Sequence, residues 1–172
     1  MKIIVGLLII LLLCGFTNLS DKYPTIQSIA ANVHGPAGLQ KFFKNFTFTR
    51  SGSNNMREFL QTKEGDCDMF ALVSYEVLKR WDLEPILVTL VKPDHNPRNR
   101  SHAICIFKTK GGVYIFSNGE ISFGKNNAQA IAKKYNKNWT HVFIWQVING
   151  RSKRRKDIVP GDKKYKFYPQ MS

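Results

Sequence analysis

Cys67 lies in the segment Gly65-Asp66-Cys67-Asp68, directly before a run of residues with helical periodicity. The spacing predicts a helix over residues 67–81, and Asp66 is a favourable N-cap because its carboxylate can accept from the unpaired N–H groups of the first turn. The partial positive charge at a helix N-terminus stabilises a thiolate, so we expect the pKa of Cys67 to fall towards neutrality. Cys67 is then a candidate nucleophile; the alternative is a buried, inert cysteine.

His102 is the candidate base for this thiol. It opens a predicted strand in which His102, Ile104 and Ile106 share one face. If that face packs on the helix after Cys67, the imidazole points towards the thiol, whereas Cys105 points away and serves only for packing. A thiol with a base beside it supports nucleophilic acyl transfer.

Asn118 is the candidate third member of a triad. If the turn after Lys108 contains three residues, Lys108 pairs with Gly112 and His102 with Asn118, whose amide can then hold the imidazole ring. A two-residue turn would place Asn118 on the other face of the strand. Alternatively, Asn118 is a simple turn residue, and Glu120 is then the candidate third member of the triad.

These residues resemble the transglutaminase-like branch of the papain-like cysteine hydrolase superfamily, of the bacterial transglutaminase-like cysteine proteinase type. The resemblance covers roughly residues 38–120 and includes a Phe-Thr-Phe segment before the nucleophile. It implies a papain-like core and a triad of Cys67, His102 and Asn118 that acts on amides through a thioester. Gln61, six residues before the cysteine, is similar in place to the oxyanion glutamine of papain-like proteases; the alternative is an exposed loop residue. Transglutaminase relatives usually carry Asp where this chain has Asn, which leaves the reaction subtype open.

The expected substrate is a protein or peptide amide. Water as acceptor gives hydrolysis and an amine gives transamidation, and the sequence does not choose between them. It contains no Cys-x-x-Cys pair, P-loop or dinucleotide fingerprint, so we expect no metal and no cofactor. The competing hypothesis is a catalytically inactive module of the same fold that binds through its basic surface.

The elements that must position these residues follow from hydrophobic periodicity. Helical patterns come first, and strands follow with one helix inserted between them. This order predicts an α+β fold, with N-terminal helices packed on an antiparallel sheet. The predicted strands are residues 86–91, 102–107, 113–118 and 141–148, and the inserted helix is residues 128–135.

The charge and the termini suggest a location and partners. The 172 residues carry a net charge of +14, which attracts anionic partners such as an envelope polymer or a membrane surface. Residues 1–20, with Lys2 before an apolar run, are typical of a secretory signal, or of a lipoprotein signal that uses Cys14. The predicted domain is then residues 21–150, followed by a basic tail over residues 151–172 that is either solvated and mobile or binds a polymer. Tyr165, Phe167 and Tyr168 would let the end of this tail dock on the domain. We therefore expect an exported monomer, periplasmic or membrane-anchored, that does not bind nucleic acid.

Overall fold

The computed structural model describes residues 24–50, 55–93, 101–148 and 151–169. The expected signal segment over residues 1–20, with Cys14, lies outside the described residues. Within the described ranges, no helix has both the length and the apolar character that crossing a bilayer requires.

The described chain combines helices with an antiparallel sheet, which confirms the predicted α+β arrangement. The helices are α1 (Ile26–Asn32), α2 (Gly35–Phe43), α3 (Met56–Thr62), α4 (Cys67–Arg80) and α5 (Ala128–Tyr135). The strands are β1 (Thr47–Phe48), β2 (Glu64–Gly65), β3 (Ile86–Val91), β4 (Ser101–Thr109), β5 (Gly112–Ser117), β6 (Glu120–Phe123), β7 (His141–Ile148) and β8 (Arg151–Ile158). Strands β3 to β8 form one sheet in the order β6-β5-β4-β3-β7-β8, and β1 pairs with β2 in parallel.

Helix α4 begins where the sequence predicts. The Asp66 carboxylate accepts from the backbone N–H groups of Asp68 at 3.0 Å and Met69 at 3.2 Å, so it satisfies two donors of the first turn. Gly65 lies against the Phe59 ring so closely that an added Cβ would overlap it. A glycine is therefore needed at this point for the chain to enter the helix beside α3.

Each face of the sheet carries its own core, and β4 shows how the two faces divide. Cys105 lies in the core that α4 covers, whereas Ile104 and Ile106 lie in the core that α5 covers. The expectation that the isoleucine face, which starts at His102, packs on α4 is therefore wrong. Cys105 points towards α4 rather than away from it, and it is fully buried there.

Both faces of β4 are apolar, so alternation along the strand cannot show which face α4 covers. On the α4 side, Cys105 and Phe107 pack in one core with Phe70. On the α5 side, Ile104 packs in the other core with Ala132. The choice of face therefore depends on contacts between elements that are distant in the sequence.

Residues 151–158 are the edge strand β8 and not a separate tail. Ile158 pairs with Val142 of β7 and is buried in the α5-side core. Phe167 and Tyr168 are buried there too, and the Asn126 side chain exchanges hydrogen bonds of 2.6 and 2.8 Å with the Tyr168 backbone. The expectation of a tail that begins at residue 151 is wrong because residues 151–158 pair with β7, whereas the docking expected of Phe167 and Tyr168 is confirmed. The charge run fits this position because its side chains project from an exposed edge.

Candidate active site

Cys67 and His102 line one cavity of about 590 Å³. The cavity lies where the start of α4, the end of β3, the start of β4 and the C-terminal part of α5 meet. Asp66 and Asp68 flank the thiol at its rim, and Tyr135 belongs to the wall nearest the imidazole. The two residues on which the predicted chemistry depends therefore line the same cavity, but the thiol lies on the α4 side of the sheet and the imidazole on the α5 side.

The Cys67 thiol is half-buried and faces the backbone N–H groups of Ala103 and of Cys67 itself. Burial raises the pKa of the thiol, and the nearby Asp68 and Asp66 carboxylates raise it further, although the two N–H groups lower it. The expected fall in the pKa of Cys67 at the helix N-terminus is therefore wrong. At neutral pH the resting form is the thiol, which must give its proton to a base before it can attack.

The His102 imidazole can act as that base. Burial lowers the pKa of His102, so the ring is neutral at neutral pH and can accept a proton. Its Nε2 lies 2.8 Å from Ser117 Oγ. In the tautomer whose Nε2–H donates to Ser117, Nδ1 carries the lone pair that can receive the thiol proton. Among the described residues no hydrogen bond joins the thiol to the imidazole, so this transfer requires a closer approach or one bridging water.

Ser117, and not Asn118, forms the hydrogen bond to the His102 ring. The Tyr135 ring lies 5.2 Å from the His102 ring, centroid to centroid, and the hydroxyls of Ser117 and Ser122 face the Tyr135 hydroxyl. Two neighbours thus fix the imidazole, one by a hydrogen bond and one by ring contact. Sequence reasoning missed Ser117 because its position depends on the hairpin register.

The predicted register of the β4–β5 hairpin is wrong by one residue. Thr109 pairs with Gly112, so the turn contains two residues instead of three. Asn118 falls in the next turn with φ of 49°, and its buried Oδ1 has no hydrogen-bond partner within the described part of the chain. The physical reason lies in the turn glycines, because Gly112 has the positive φ, of 131°, whereas a three-residue turn requires it at Gly111. An added Cβ at Gly112 would also lie 2.9 Å from the Phe123 ring of β6.

Gln61 and Glu120 are not among the described residues that line the cavity. Gln61 is half-buried on α3, and Lys63 ends that helix in the left-handed region with φ of 60°. The chain then continues into β2, and Asp66 is the first residue after Gln61 that lines the cavity. Glu120 is exposed at the start of β6. Neither Gln61 nor Glu120 therefore belongs to the described wall around the thiol.

Removing the Asp68 charge is expected to lower the pKa of Cys67. The thiolate is the form that reacts with iodoacetamide, and the Asp68 carboxylate disfavours it. We expect the alkylation profile of the wild type to rise at a pH above that of an ordinary cysteine, and the profile of Asp68→Asn to move to lower pH, with a rate at pH 7.5 about threefold to tenfold higher. The matched control is Glu76→Gln on the same helix, which should leave the profile in place. An unmoved profile in Asp68→Asn would show that the carboxylate does not act on the thiol.

The described ranges contain no group of three or more His, Cys, Asp or Glu side chains that could hold a metal ion together.

No family model matches the chain, and no curated protein matches its sequence. The function of this cavity is therefore inferred from its own residues.

Proposed function

We propose that the protein is a cysteine-dependent amide hydrolase or acyltransferase with a transglutaminase-like, papain-like core. One observation carries this proposal: a thiol at the start of α4 and an imidazole on β4 line the same cavity. A neutral thiol beside a neutral imidazole is a competent resting state, since the base can accept the proton as the thiol attacks.

The reaction begins when a substrate amide enters the cavity. His102 takes the proton of Cys67, and Sγ forms a bond to the carbonyl carbon. The backbone N–H groups of Cys67 and Ala103 hold the oxyanion, since both already face the sulfur. His102 then gives its proton to the leaving nitrogen as the C–N bond breaks. Water or an amine cleaves the resulting thioester, with His102 again as the base.

Ser117 is a positioning residue in this scheme. Its hydrogen bond to Nε2 fixes the plane of the His102 ring and selects the tautomer, a role that triads usually give to an acid or an amide. A hydroxyl stabilises an imidazolium less than a carboxylate does. We therefore expect catalysis to depend on ring orientation more than on charge stabilisation.

Labelling with a peptidyl acyloxymethyl ketone tests the proposal. In this probe the ketone binds like the substrate carbonyl, and the thiolate displaces the carboxylate to form a thioether. We expect the wild type to be labelled at Cys67, and Cys67→Ala to remain unlabelled, by mass spectrometry of the digested protein. The matched control is Cys105→Ala, which should be labelled like the wild type because Cys105 is fully buried. Failure to label a wild-type Cys67 that iodoacetamide still modifies would contradict the proposal.

A binding module for an anionic polymer is the second candidate, and β8 favours it. The strand carries five cationic residues, and residues 151–157 are exposed. Such a strand attracts polyanions, and the attraction weakens with salt. If the thiol proves inert, polyanion binding that is unaffected by Cys67→Ala would support this function, at the cell envelope if residues 1–20 direct export.

A further inference from the structure

A second cavity, of about 260 Å³, lies on the α4 side of the sheet and adjoins the first. Asp68 lines both cavities. Ala103, whose backbone N–H faces the Cys67 thiol, lines the second one. Cys67 itself lines the first cavity, and its neighbours Asp68 and Ala103 connect its surroundings to the second.

The walls of the second cavity are mainly apolar. Leu72 of α4, Leu87 of β3 and Trp145 of β7 line it. The indole N–H of Trp145 donates to Thr89 Oγ1 at 2.9 Å, so the polar atom of the ring has a partner and the ring is held in place. Pockets for whole ligands usually begin at about 300 Å³. This cavity is therefore suited to a single apolar side chain.

The position of His102 decides which part of a substrate reaches this cavity. His102 lines the first cavity and is not among the described residues that line the second. The imidazole must reach the leaving nitrogen to protonate it, so the leaving group lies on the side of the first cavity. The acyl part then extends from the thiol in the other direction.

We propose that the second cavity binds the apolar side chain of the residue whose carbonyl carbon Cys67 attacks. The substrates are then amides with an aliphatic or aromatic residue on the acyl side. This inference rests on the proposed function. The Sγ–C bond forms, the C–N bond breaks, and the thiol proton passes through His102 to the leaving nitrogen. The acyl side chain stays in the second cavity until water or an amine cleaves the thioester.

Two acyloxymethyl ketones that differ in one side chain test this inference. N-acetyl-leucine and N-acetyl-asparagine ketones are similar in size, and only the first is apolar. We expect the leucine probe to label Cys67 of the full chain at least about 10-fold faster. Leu72→Asn, which places an amide in the apolar wall, should bring this ratio towards one. Ser152 lies at the exposed rim of the cavity. Ser152→Phe should slow labelling by the leucine probe because the added ring fills the cavity. This variant provides the test if Leu72→Asn does not fold.

The control is Leu83→Asn, since Leu83 is partly buried like Leu72 but is not among the residues that line this cavity. It should keep the wild-type ratio. Equal labelling of wild-type Cys67 by both probes, or a preference that survives both Leu72→Asn and Ser152→Phe, would overturn the inference and leave the proposed function standing. No labelling by either probe, while iodoacetamide still modifies Cys67, would overturn both.

Discussion

Substitution of His102 by Gln is expected to slow the acetylation of Cys67 by p-nitrophenyl acetate at pH 7 by about 10²- to 10⁴-fold, the range that a positioned general base contributes. The thiol is protonated at this pH because burial and two carboxylates raise its pKa, so it depends on a base to react. Gln fills a similar space but cannot accept the proton. The release of p-nitrophenol, corrected with Cys67→Ala, measures the effect.

A reaction of Cys67 that needs no base distinguishes the loss of proton transfer from damage to the fold. Iodoacetamide at a pH above the pKa of the thiol reacts with thiolate that is already formed, so His102→Gln should react there like the wild type. Ser117→Ala should cause a smaller loss of acetylation, about threefold to tenfold, because it removes one hydrogen bond to the ring. Ser122→Ala is the matched control, since Ser122 faces Tyr135 and, within the described part of the chain, makes no hydrogen bond to the imidazole. Equal acetylation rates in His102→Gln and the wild type would show that the imidazole takes no proton from the thiol.

A chain that ends at residue 150 is expected to unfold. It lacks β8 and the buried side chains of Ile158, Phe167 and Tyr168. Loss of one large buried aromatic side chain costs about 3–5 kcal/mol, and a domain of this size has about 5–15 kcal/mol in total. Circular dichroism during urea unfolding measures the result, with the cooperative transition present in the full chain and lost in the shortened one.

The control for this experiment is a chain that ends at residue 169. It keeps β8, Phe167 and Tyr168, and also the hydrogen bond of 2.9 Å from the Tyr168 hydroxyl to the Glu84 backbone carbonyl. Its unfolding transition should match that of the full chain. A stable, cooperative domain that ends at residue 150 would show that β8 is dispensable, as an independent tail would be.

The part of the fold that local patterns determine could be predicted from the sequence. Helix α4, its Asp66 cap and strand β3 lie where periodicity and capping place them, because these signals depend on neighbours within one or two turns. Cys67 and His102 could be proposed as a pair for the same reason: each lies at a recognisable element boundary.

The remaining features depend on contacts between distant residues. Both faces of β4 are apolar, so the face that α4 covers depends on how distant elements pack. The hairpin register depends on which of two adjacent glycines takes the positive φ, and in the structure this is Gly112. Ser117 could not be found without that register. The pKa of Cys67 could not be predicted from the helix N-terminus alone, because burial acts in the opposite direction and is the larger effect.

The parallel pair of β1 and β2 ties one wall of the cavity to the nucleophile. Phe48 lines the cavity and pairs with Gly65, two residues before Cys67, and the Thr49 N–H donates to the Gly65 carbonyl at 2.8 Å. The amide of Thr49 can therefore exchange with deuterium only when this short ladder opens. Thr49 is not one of the reacting groups. The exchange rate of its amide would therefore report how often the start of α4 separates from the cavity wall at Phe48.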